Sequence, residues 1–129
     1  MANPIFRLLL ILALCVPVPL HGETRDPKQF VVFIHAGPKL PDDKEIKQIA
    51  VALFQRGYLV RAPDNQRDVV GGPGVDYFDD SALDMAQDVA NTVNETFGKL
   101  WGQVADDKKL QPRRQRVKNP PTYLGVWLF

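Results

Sequence analysis

Phe30-Val31-Val32-Phe33-Ile34, closed by His35-Ala36-Gly37-Pro38, is the stretch that decides the fold. Five consecutive apolar, β-branched or aromatic residues predict an interior strand buried on both faces, and the glycine and proline end it sharply. A helix is expected next. Asp42 or Asp43 caps its start, and Ile46, Ile49, Ala50 and Leu53 recur at helical spacing as one apolar stripe. Lys44, Lys47 and Gln48 fall off that stripe, and Gly57 is placed to stop the helix.

Working outward, Tyr58-Leu59-Val60-Arg61-Ala62 reads as a second strand and Val75-Asp76-Tyr77-Phe78 as a third. Gly71-Gly72-Pro73-Gly74 between them reads as a flexible connection. It has no P-loop lysine, no helix directly after it, and a proline in place of one amide donor. Ser81-Ala82-Leu83-Asp84 approximates a capping box for a second helix. Ala82, Met85, Ala86, Val89, Val93 and Phe97 form its buried stripe, with Gly98 as a stop. Residues 106–121 are polar, basic and proline-containing, which predicts an extended or mobile linker. Tyr123 to Phe129 then reads as a final strand that must dock, because an apolar end left free would aggregate.

The predicted order is βαββαβ. It describes one small α+β domain over residues 30–129, a two-layer sandwich with both helices on one face of the sheet. The split ferredoxin-like and swapped-hairpin layouts both fit that order.

The N-terminus points to export. Arg7 is followed by an apolar run from Leu8 to Leu20, the layout of a cleaved secretory signal over residues 1–22. That run has 13 residues and contains Pro17 and Pro19, whereas a spanning helix needs roughly 20 apolar residues. Cys15 admits a second reading, a lipoprotein signal, although Leu14 is larger than the residue such signals place before the cysteine. Residues 23–29 read as an exposed lead-in. A chain cut after Gly22 has no cysteine, which excludes disulfides, thiol chemistry and zinc–thiolate sites. The expected location is the periplasm or the exterior.

Charge is divided along the chain. Every acidic residue precedes Lys108, and Lys108, Lys109, Arg113, Arg114, Arg116 and Lys118 follow without an acid among them. Such a basic strap attracts anionic surfaces or folds back onto the acidic body. It holds no aromatic residue to stack bases, so nucleic acid is not the expected partner.

Four stretches together resemble the C-terminal domain of LytR/CpsA/Psr cell-wall proteins, and more loosely the SPOR domain. They are Phe30 to Gly37, Ala52 to Val60, Val75 to Phe78, and Met85 to Phe97. The turn at His35-Ala36-Gly37-Pro38 departs from the Asn-Gly type usual there. The resemblance implies a non-catalytic envelope domain and transfers no ligand-binding residue to this chain.

Reactive candidates are few. Ser81 is the sole serine, and His35 the sole histidine beyond the export segment. A Ser81–His35–Asp set is conceivable at neighbouring strand ends, but no Gly-x-Ser-x-Gly elbow surrounds Ser81, and a capping role suffices for it. His35, where a strand meets a turn, is a candidate ligand contact or pH sensor. Asp76, Asp79, Asp80 and Asp84 lack calcium-loop spacing and read as solvated acids near a helix start. The expected function is a non-enzymatic envelope-binding module without cofactor or metal. Its contact surface is the exposed sheet face or the strap, and its partner is an envelope component or a periplasmic protein. The rival class is a small periplasmic hydrolase or ligand sensor built on His35 and the strand ends.

Overall fold

The computed structural model describes residues 26–36, 43–64 and 72–128. The export segment 1–22, with Arg7 and Cys15, lies outside the described residues, as do Gly37, Pro38 and the greater part of the loop after β2.

Five strands and two helices follow in the order β1 (Val31–Ala36), α1 (Asp43–Gln55), β2 (Leu59–Asp64), β3 (Gly74–Tyr77), α2 (Leu83–Trp101), β4 (Pro112–Arg114) and β5 (Tyr123–Leu128). The strands form one mixed sheet, ordered β2-β1-β5-β3-β4. It consists of two βαβ units. β1 and β2 are direct parallel neighbours, as are β3 and β4. β5 lies between the units, parallel to β1 and antiparallel to β3, so the two units run in opposite directions. The split ferredoxin-like layout does not form, because no strand separates the parallel partners within either unit.

That opposition puts both helices on the same side. A right-handed crossover moving outward from β1 and a second one moving outward from the inverted β3 cover the same face. The helix contacts agree. Trp101 Nε1, at the end of α2, donates to Glu45 Oε1 at the start of α1, at 3.0 Å. At the opposite ends Arg56 Nε donates to Asp88 Oδ2 at 3.0 Å. The helices are therefore antiparallel and tied at both ends. Between them and the sheet lies the core, with Phe30, Ile34, Leu53, Phe97, Leu124 and Leu128 all buried.

β1 is an interior strand, but only alternate residues are fully covered. Val32, Ile34 and Ala36 meet the helices, while Val31, Phe33 and His35 are half-buried on the other side. Among the described residues neither helix reaches that side. The continuous apolar run reflects aromatic packing across the open face rather than a second helical layer.

Three local expectations are corrected. Gly98 does not stop α2. The helix runs on to Trp101, whose ring stacks on Phe97 at 4.5 Å, and it ends where Gly102 takes φ +77° and donates its N–H to Gly98 O. Ser81 does not cap α2 either. Asp79, in extended conformation, accepts the Ser81 N–H at 3.0 Å and the Ser81 hydroxyl, and so caps a 3-10 turn over Asp80–Ala82 that leads into the helix. The linker 106–121 is not merely extended. It holds a 3-10 turn at Asp106–Lys108 and the edge strand β4. Asn94 on α2 holds it down, donating to Leu110 O at 3.1 Å and accepting from Leu110 N at 2.8 Å, so that Leu110 is fully buried. The amide mimics a strand neighbour, offering both a donor and an acceptor to the backbone of one residue.

Candidate functional site

Strand register places the open-face side chains. One row crosses the whole sheet, namely Arg61, Phe33, Gly125, Asp76 and Arg113. On one side of that row His35 stands beside Trp127, and their rings stack with centroids 4.1 Å apart and planes at 21°. On the other side Tyr123 meets Phe33 edge to face, 5.0 Å between centroids. Both geometries are favoured for aromatic rings. Gly125 lies between the two pairs and puts no side chain there. A Cβ built on it would stand 3.4 Å from Trp127 Nε1 and 3.9 Å from His35 Nε2. A glycine inside a strand marks a place where something can approach the backbone closely.

The result is an aromatic bay of about 330 Å³ over the sheet. Its floor is Gly125, its sides are the two ring pairs, and Gln115, Val117 and Asn119 of the strap form its rim with Phe78. Asp76 supplies a carboxylate at one end, held in place by Arg113 Nε at 2.9 Å and Gln115 Nε2 at 3.2 Å. Apolar walls with a few fixed polar groups are the usual make-up of a small-ligand site.

The structure scatters the six basic residues predicted as a binding strap. Lys108 sits in the 3-10 turn, and Lys109 pairs locally with Asp106 at 3.3 Å. Arg113 is drawn onto the sheet. Besides Asp76 it donates from Nη1 to Gly72 O at 3.0 Å. Arg114 turns the other way, pairing with Asp80 at 3.0 Å and lying over Tyr77 at 6.0 Å from the ring centroid. Arg116 and Lys118 have no ion-pair partner among the described residues and line a second hollow of about 670 Å³. The strap is thus partly neutralised by acidic side chains, and its distal cations Arg116 and Lys118 are exposed beside the second hollow.

His35 lies in the bay, as does Asp76, but Ser81 is not among the bay's lining residues. The Ser81 hydroxyl is given to Asp79. A serine nucleophile needs a base within hydrogen-bond reach, and the structure does not bring the three residues together as a triad. The acidic cluster is likewise divided. Asp76 goes to Arg113, Asp79 to Ser81 and Asp80 to Arg114. Among the described residues no group of three or more histidine, cysteine or acidic side chains is placed to hold a metal ion, and no helix is long and apolar enough to cross a membrane.

Phe33, Tyr123, Trp127 and Gly125 were not singled out as site residues from the sequence. Their signal is the odd-numbered positions of two strands. Phe33 and His35 alternate with Val32, Ile34 and Ala36, and Tyr123 and Trp127 alternate with Leu124, Val126 and Leu128. Aromatic residues on the side away from the helices mark that side as a surface with its own packing.

No family model matches the chain, and neither does any curated protein or solved structure.

Proposed function

We propose that this chain is a non-enzymatic binding module of the cell envelope and that it binds through the open face of its sheet. The observation that carries the reading is the two aromatic couples flanking Gly125, one stacked and one edge to face, on a side that no described helix covers. Burying aromatic surface of this kind is strongly favourable on contact, at about 25 cal/mol per Å² of apolar area. Leu59, on the same side in register with Val31, is half exposed and extends the apolar surface toward the β2 edge.

Placement in the envelope rests on the N-terminal sequence, whose basic start, short apolar run and polar exit fit a secretory signal. The resemblance to the C-terminal domain of LytR/CpsA/Psr proteins supports the same placement. The partner is an envelope component or a periplasmic protein.

The purified protein is to be mixed with isolated envelope fractions and sedimented. Replacing Tyr123 and Trp127 by alanine is expected to abolish co-sedimentation, while replacing Lys108 and Lys109 by glutamine leaves it unchanged. Undiminished binding by a folded Tyr123→Ala/Trp127→Ala variant would overturn the reading.

A further inference from the structure

The aromatic bay and the basic hollow share a wall. Phe78, Val117 and Asn119 bound both the aromatic bay and the basic hollow beside it. The bay presents ring faces and a glycine floor. The basic hollow presents Arg114, Arg116 and Lys118 against a single carboxylate, Asp80. Arg114 is already given to Asp80, which leaves Arg116 and Lys118 to meet a ligand.

Neither half is selective alone. Aromatic walls accept many flat or ring-shaped groups, and exposed cations attract any anion, weakly at physiological salt. The shared wall changes this. A ligand whose ring occupies the bay carries any attached anion to the mouth of the basic hollow, and the second contact then forms at high effective concentration. A guanidinium and an ammonium together suit a doubly charged oxyanion better than a single carboxylate, and the guanidinium fork matches phosphate geometry.

We infer that the site takes a phosphate ester of a ring-bearing alcohol. The ring lies over Gly125 between the His35–Trp127 and Phe33–Tyr123 pairs, and the phosphate meets Arg116 and Lys118. Asp76, Gln115 and Asn119 edge the bay, where they can receive and give hydrogen bonds to polar substituents on the ring. The ring is either the base of a nucleotide or the pyranose of a sugar phosphate. This inference deepens the proposed open-face binding and rests on it.

The test is an NMR titration of the purified ¹⁵N-labelled protein, following the Trp127 indole N–H and the amides of Arg116 to Asn119. The probes are adenosine 5′-monophosphate, adenosine, glucose 1-phosphate, glucose and inorganic phosphate. One of the two esters is expected to shift both sets of signals and to bind about tenfold or more tightly than its unphosphorylated ring or phosphate alone. Whichever ester does so identifies the ring. The double variant R116Q/K118Q is expected to bring that ester down to the affinity of the bare ring while the Trp127 shift persists. Equal affinity of ester and bare ring, an ester affinity unchanged in R116Q/K118Q, or no shift with either ester would each overturn the inference. In all three cases the sedimentation assay still decides open-face binding, because it uses envelope material and different variants.

Discussion

The Arg113 guanidinium occupies the space that a side chain at position 74 would fill, since a Cβ built on Gly74 would stand 2.5 Å from Arg113 Nε. No real Cβ contact is that short, so any other residue at 74 expels the guanidinium from its bonds to Asp76 and the Gly72 carbonyl. Gly74→Ala is therefore expected to cost about 1–2 kcal/mol, the value of a charge-assisted hydrogen bond in a part-buried site. Urea unfolding of G74A, R113A and the double variant checks this. The double variant should be little worse than either single one, because both remove the same contact.

Asn94 is the fastening of the strap. Asn94→Asp keeps the acceptor for Leu110 N but loses the donor for Leu110 O, and Asn94→Leu loses both. About 1 kcal/mol or more of stability should go with each. The more telling readout is amide exchange. Protection at Leu110 and along β4 should fall in both variants, while β1 and β5 stay protected.

Tyr58 sets an alkaline limit on the fold. It is buried where α1 gives way to β2, and its hydroxyl donates to Asp88 Oδ2 at 2.6 Å. Burial first, and then that hydrogen bond, raise its pKa above the ordinary 10.0. Below about pH 10 the phenol keeps its proton folded or unfolded, so its contribution is constant. Above that pH the unfolded chain loses the proton and the folded one holds it, so stability falls as pH rises toward the folded value. Wild type should lose stability between pH 10 and 11.5 more steeply than Tyr58→Phe, measured by chemical unfolding at each pH. At neutral pH Tyr58→Phe should be less stable by about 1–2 kcal/mol.

Gly125→Ala separates binding from folding. The added Cβ meets Trp127, Asp76 and His35 at 3.4 Å, 3.7 Å and 3.9 Å, which the fold can accommodate as ordinary contact. Replacing glycine inside a strand also lowers the entropy lost on folding, by roughly 0.5 kcal/mol. The melting temperature should hold or rise slightly. The floor of the bay rises, however, and envelope co-sedimentation should drop severalfold.

What could be read in advance was what burial writes into a sequence. α1 and α2 carry apolar residues at the helical period, and β1 and β5 announce themselves as short apolar runs, although only alternate residues of β1 are fully buried. β4 was missed because Pro112-Arg113-Arg114 buries little and is held by backbone bonds at its ends, Val75 N to Gln111 O and Gln115 N to Tyr77 O, and by Arg–Asp pairs. Such pairing has no periodic signature. The order of the strands was equally silent, since each βαβ unit satisfies its own pattern wherever β5 is inserted. In the site, His35 was singled out for its chemistry. Its neighbours Trp127 and Gly125 come from the far end of the chain and meet it only through strand register.

The seam of the sheet is made by the strand that a ribosome delivers after the other four. Until residues 123–128 are available, the half led by β1 and the half led by β3 have no backbone ladder between them. A chain emerging in order, from a ribosome or through a secretion channel, would therefore hold its two halves together through helix contacts alone, such as Trp101–Glu45 and Arg56–Asp88, and complete the sheet in a single late step. Deleting residues 123–128 should leave fragments of structure rather than a slightly weaker protein, because the missing piece is the keystone.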